Sequence, residues 1–232
     1  TFVRDTYPIK TVLNPELFDI NLAQNNYDLT KFFDQNSLYQ ILFYFTPYKA
    51  FDPKQTIEYI RKGGLSLFVD ESGIADEYLE TSGIVSKANV MLSKAIFKAL
   101  NNKLREANSD FLEITKLYPN HSIVQFNLAL TFAQLGDFAQ AYKHFVTSYH
   151  LDPSNYIAGA YAIMAAKMIG RDAKRLTKEV MDTMDADTNL DQDNIYKAMI
   201  QLTQGNQGAL NDWLDKNHND SVLNIVFNII CA

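Results

Sequence analysis

The sequence predicts an all-α protein: an α-α superhelix, or solenoid, of antiparallel helical hairpins, preceded by a mostly helical N-terminal cap. Three observations carry that expectation. Two stretches of the 232-residue chain align at a spacing of 34 residues, Ala107-(x)3-Phe111-(x)2-Ile114-(x)2-Leu117-x-Pro119 and Ala141-(x)3-Phe145-(x)2-Ser148-(x)2-Leu151-x-Pro153. Gly136 recurs as Gly170 at the same interval. Periods of this length mark stacked supersecondary units. Third, 9 Gly and 6 Pro are too few for a turn-dense β-sandwich or barrel.

The N-terminal region, 1–83, shows no repeat. Residues 1–13 read as extended, with helices near 16–24, 28–35 and 38–45. Asp52-Pro53 is a helix start and Gly63-Gly64 a stop, since Pro suits the first helical position and Gly weakens a helix interior. Leu65–Val69 then reads as a short strand or a buried extended segment. Residues 27–51 are dense in aromatics: Tyr27, Phe32, Phe33, Tyr39, Phe43, Tyr44, Phe45, Tyr48 and Phe51. Packing of a cap on the first repeat explains them; a surface for another chain is the alternative, because aromatics are enriched at binding hot spots.

Residues 84–232 read as hairpins at about 88–121, 122–155, 156–189 and 190–218, with the start of another at 219–232. In the clearest unit, Ser122 can cap a helix over about Ile123–Leu135 whose apolar positions Val124, Leu128, Leu130, Phe132 and Leu135 recur every three to four residues. Gly136 ends that helix and Asp137 opens the next, which carries Phe138, Ala141, Tyr142, Phe145 and Tyr149 before Pro153 stops it. In the unit before, Lys94 and Lys98 fall where apolar residues belong, which implies a register shift of one or two. In the unit after, Arg175 and Glu179 stand at packing positions, so that unit is degenerate. A further turn is expected at Gly205.

On these residues the chain resembles the tetratricopeptide repeat family. Leu128 and Ala129 match the large-then-small pair of the first helix, Phe132 its later aromatic and Gly136 the turn. Phe138, Ala141 and Phe145 match the second-helix packing positions, and Pro153 the terminating proline; Gln125 replaces the usual early tryptophan. The resemblance implies that first helices line a concave groove. The groove residues would be Ile123, Phe126, Leu130, Ala133 and Gln134, then Ile157, Ala160, Met164 and Lys167. It also implies no chaperone-tail clamp, because Phe126 and Leu130 stand where that clamp needs Lys and Asn. An apolar groove suits a partner helix or peptide. The chain's own N-terminal segment, or the next superhelical turn, could fill it instead.

Chemistry-bearing constellations are sparse. His144 and His150 lie six apart, not at the i,i+4 spacing of a two-histidine metal site, and His121 and His218 sit in turns. The single cysteine, Cys231, ends an apolar helix. Asp185-Ala-Asp187-Thr-Asn189-Leu-Asp191-Gln-Asp193 has alternating oxygens, but Leu190 replaces the calcium-loop glycine and Tyr196 the closing glutamate. It reads instead as an inter-repeat loop in which Asp191 or Asp193 caps the next helix. Asn120-His-Ser122 and Asn219-Asp-Ser221 match glycosylation sequons. Lys87, Lys94, Lys98 and Arg105 form a basic stripe that reads as a solvated face, with a surface for an acidic partner segment or phosphate as the alternative.

With 21 basic against 27 acidic residues, net charge -6, nucleic-acid binding is disfavoured. No apolar run reaches the roughly 20 residues of a membrane span. The chain starts at Thr1 and stops inside an apolar pattern, which reads as a fragment of a longer protein; cytoplasmic and periplasmic placements both fit. The functional expectation is a non-catalytic, cofactor-free scaffold in a larger assembly, binding a protein partner through Ile123, Phe126, Leu130, Gln134, Ile157 and Met164. The alternative is a platform or regulatory region of an enzyme, or of a bacterial secretion or flagellar-type machine, whose active part lies elsewhere.

Overall fold

The structure, a computed structural model, describes residues 35–69, 72–191, 194–216 and 221–231. The helices expected near 16–24 and 28–35 and the extended 1–13 lie outside these. The regular elements among the described residues are all helices, with no strand among them. Eleven helices follow in order: α1 Gln35–Phe45, α2 Pro53–Phe68, α3 Ser72–Leu100, α4 Leu104–Leu117, α5 Ser122–Gln134, α6 Phe138–Leu151, α7 Tyr156–Met168, α8 Lys174–Ala186, α9 Ile195–Gln204, α10 Gln207–Leu214 and α11 Val222–Cys231.

Neighbours in sequence are neighbours in space: α2 packs on α3, α3 on α4, and so on to α8 on α7, with α7 also reaching α9. The turns at Gly136 and Gly170 are where the 34-residue spacing put them, and the one expected at Gly205 follows 35 residues on. Gly136, Gly170 and Gly205 all have positive φ (85°, 68° and 70°), a region that costs a side chain energy but glycine little. The α3–α4 turn uses Asn102 at φ 62°, the residue type that best tolerates it after glycine. Asp137 caps α6, its carboxylate accepting from the Gln140 N–H at 3.1 Å.

Three local expectations are corrected. α2 runs straight through Gly63-Gly64 and includes Leu65–Phe68, so the stop and the strand are both absent. The reason is interhelical: a Cβ on Gly63 would come within 2.9 Å of Leu79 Cγ and 3.2 Å of the Ala75 carbonyl, so the glycine lets α3 approach closely. α3 spans Ser72–Leu100 as one helix. Ser122 does not cap α5; its hydroxyl donates to the Ser148 carbonyl on α6 at 2.8 Å. Arg105 lies on α4, so it does not extend the α3 basic stripe, and Lys98 is paired with Asp110 at 2.6 Å.

The packing registers follow burial. On α3 the core side is Val85, Ala88, Leu92 and Ala95, which leaves Lys94 outside. On α8 it is Leu176, Val180 and Met184, one position along from Arg175 and Glu179. Two apolar clusters result. One holds Phe51, the α3–α4 residues, Val124 and Leu128; the other runs from Tyr39 on α1 to Cys231 on α11, and Tyr48 packs against both.

Candidate functional site

The expected groove residues lie on one face of α5 and α7, and that face is covered. α1 packs against α5, α7 and α11, and the extended residues 46–51 continue along α5 towards α3. Phe126, Leu130, Gln134, Ile157 and Met164 are buried and Ile123 is half-buried. Ala133 and Ala160 are buried as well, whereas Lys167 is exposed. The open apolar groove drawn from the sequence is therefore filled by the chain itself.

The occupant is held in two ways. Its helical half is held by rings. Phe43 stacks on Phe145 at 5.9 Å between centroids, meets Tyr161 edge-on at 4.9 Å and lies 6.2 Å from Phe138. Such pairs contribute beyond their buried area. The helix end is tied by polar contacts: Gln134 Nε2 donates to the Phe43 carbonyl at 3.0 Å, and Thr46 Oγ1 pairs with the Tyr161 hydroxyl.

The extended half is held through its backbone. Asn127 Oδ1 accepts from the Lys49 N–H at 2.8 Å while its Nδ2 donates to the Lys49 carbonyl at 2.6 Å. Two residues on, Asn89 repeats the arrangement with Phe51, at 2.9 and 3.1 Å. Alternate residues of an extended chain point the same edge in the same direction, so two amides can read positions 49 and 51. Each side-chain amide supplies the donor and acceptor of a missing neighbouring strand. Side chains add to this: Tyr48 stacks on Phe111 at 5.6 Å and its hydroxyl donates to Gln134.

Among the described residues Lys49 brings a cation to the contact. Its Nζ donates to Asn155 Oδ1 at 2.7 Å and sits 4.8 Å from the Phe126 ring centroid. Burial lowers its pKa, and the Asp152 charge partly opposes that. Asn155 is in turn fixed by donating to Ser122 Oγ and Ser148 Oγ at 3.0 and 3.1 Å.

Asn89, Asn127, Asn155 and Lys49 were not singled out from sequence. The signal in the sequence is an asparagine between Phe126 and Leu128 in an otherwise apolar helix, where its propensity is poor; the structure buries it fully, and an unpaired amide there is costly. Such a local conflict asks for a partner.

The other candidates are occupied by ordinary contacts. His144 Nδ1 pairs with Gln125 Oε1 at 2.8 Å, and burial lowers its pKa. His121 packs against Phe51, and His150 lies 3.4 Å from Glu179. In the aspartate-rich loop, Asp187 accepts from the Tyr156 hydroxyl at 2.8 Å and Asp185 pairs with Lys197 at 2.7 Å. The cap of α9 is Asn194, whose Oδ1 accepts from the Tyr196 N–H, in place of the expected Asp191 or Asp193. His218 and Asp193 lie outside the described residues. Among the described residues no histidine, cysteine or carboxylate cluster could hold a metal ion, and no helix is long and apolar enough to cross a membrane.

Comparison with protein-family models finds no match, and comparison with curated proteins finds none either.

Proposed function

We propose that the chain is a non-catalytic protein-interaction scaffold of the tetratricopeptide type. Its hairpins stack into a superhelix whose inner face holds a helix followed by an extended peptide. Residues 35–51 of the same chain are the resident occupant, and assembly with other proteins uses the outer faces. The single observation that carries this reading is the paired amide grip of Asn127 and Asn89 on the backbone of residues 49 and 51. Backbone recognition of that kind is how a surface holds an extended peptide largely irrespective of its sequence, with pockets adding selectivity.

The test loosens the occupant in the full chain by Phe43→Ala with Tyr48→Ala. A labelled synthetic peptide of residues 35–51 is then titrated by fluorescence anisotropy. The loosened chain takes up the peptide, wild type takes up far less, and adding Asn127→Ala abolishes uptake. A loosened but folded chain that ignores the peptide would sink the reading.

A further inference from the structure

Half of the large apolar residues left exposed among the described residues lie on α2 and α3, and those on α3 are organised. On α3, positions 76, 79, 83, 86, 90, 93, 97 and 100 are all exposed and follow alternating steps of three and four. That is the spacing of a coiled-coil seam. Phe97 and Leu100 are 68% and 71% exposed, and Val90 is 55%. Open grooves of about 950 Å³ and 550 Å³ flank the seam on its α4 and α2 sides. A helix 29 residues long offers about 43 Å of contact.

The seam is asymmetric in size and charge. Its middle is mostly small (Gly83, Ser86 and Ser93, with Val90 among them), while Leu79, which also packs beside Gly63 of α2, lies towards one end and Phe97 with Leu100 at the other. The charges are acidic in the first half (Asp76 in the seam, Glu80 beside it) and basic in the second (Lys87, Lys94, both beside it), all exposed and with no ion pair among the described residues. A copy of the same helix laid antiparallel answers both asymmetries. Leu79 then meets Phe97 of the other copy, Val90 meets Ser86, and Gly83 faces Ser93, so the backbones approach closely at the centre. Glu80 of each copy lies beside Lys94 of the other. A parallel pair would instead stack like charges along the whole seam, which opposes association.

We propose that this face is a homodimer interface, in which α3 pairs antiparallel with α3 of a second copy about a twofold axis near residue 88. Lys87 meets its own symmetry mate there, and Asp76 at the end of the seam falls opposite Leu100; these are the unfavourable pairs.

Sedimentation equilibrium of the full chain tests the idea. The expected mass is twice the monomer, and Val90→Asp or Phe97→Asp raises the dissociation constant at least tenfold with unchanged far-UV circular dichroism. Glu80→Lys or Lys94→Glu alone weakens the dimer, and the two together restore it. That rescue also stands in if an aspartate variant fails to fold. Under oxidation, Leu79→Cys with Phe97→Cys crosslinks two chains, since the two positions are about 27 Å apart within one helix; Leu79→Cys alone does not. A chain that stays monomeric at about 100 μM, whether the seam is bare or covered by residues 1–34, overturns the proposal. So does a dimer indifferent to these substitutions, or one crosslinked by Leu79→Cys alone.

Discussion

Helices α5–α7 and the pair α2–α3 are built from similar material and end in different states. Both are antiparallel helical neighbours with small residues where they cross. In α7 every residue from Tyr156 to Ala166 is buried, because α6, α8, α9 and α1 cover it from several sides. In α3 only one side is covered, and Val90, Phe97 and Leu100 face outward. The difference lies in the occupant. Residues 35–51 lie along α5 and α7 and reach α3 at Phe51, beside Asn89; no described segment covers the side of Val90, Phe97 and Leu100. Apolar residues on a helix thus state that a surface will be covered but not by what.

Substitutions that pair one region against the other sharpen this contrast. Phe43→Ala removes the ring that joins Phe138, Phe145 and Tyr161 and should cost about 3–5 kcal/mol in urea unfolding. Phe97→Ala should stay within about 0.5 kcal/mol for the isolated monomer. Comparable losses for the two would break the comparison. Asn127→Ala strips both backbone partners from Lys49 and should cost about 2–3 kcal/mol, with faster hydrogen exchange at the amides of residues 48–51. An unchanged exchange pattern would mean the amide grip holds nothing.

Next in size is a glycine pair. A Cβ at Gly159 would lie 2.8 Å from Val180 Cγ2, inside the packed interior, so Gly159→Ala should cost about 1–3 kcal/mol. Gly83→Ala on the open seam meets nothing within 4 Å and should stabilise the monomer by about 0.5–1 kcal/mol through helix propensity. Thermal melts of both variants at dilute concentration check the opposite signs.

The smallest effect at neutral pH grows in base. Burial raises Tyr39 from 10.0 to about 12 and Cys231 from 9.0 to about 12. Both groups hold their protons longer in the folded than in the unfolded chain. Their contribution is therefore intact below about pH 9 and is lost progressively by about pH 12. Tyr39 sits beside α5 and α7 with its hydroxyl buried and unpartnered among the described residues. Tyr39→Phe should be nearly neutral at pH 7 and should flatten the alkaline fall in urea-derived stability. An equally steep fall in the variant would move the base sensitivity elsewhere.

The hairpin turns were readable because their cause is local. Gly136, Gly170 and Gly205 need only a backbone that tolerates positive φ, and Asp137 needs only the open N–H groups of the helix it caps. The sequence was misleading wherever a distant chain intervenes. Gly63-Gly64 reads as a stop, yet α3 comes close enough to make glycine fit inside a helix. Ser122 reads as a cap, yet Ser148 takes its hydroxyl. Lys94 and Arg175 seemed to spoil two units because the burial register is set by the neighbouring helix, not by the repeat spacing.

By itself, then, the sequence determined the all-helical class and the positions of the glycine turns. Those follow from backbone sterics and from periodicity within one element. Only the tertiary structure decided what covers the face of Phe126, Leu130, Ile157 and Met164. It made residues 35–51 the occupant and gave Asn127 and Asn89 their partners, across separations of 78 and 38 residues. Burial and hydrogen bonding between segments so far apart depend on which surfaces meet, and no local spacing encodes that.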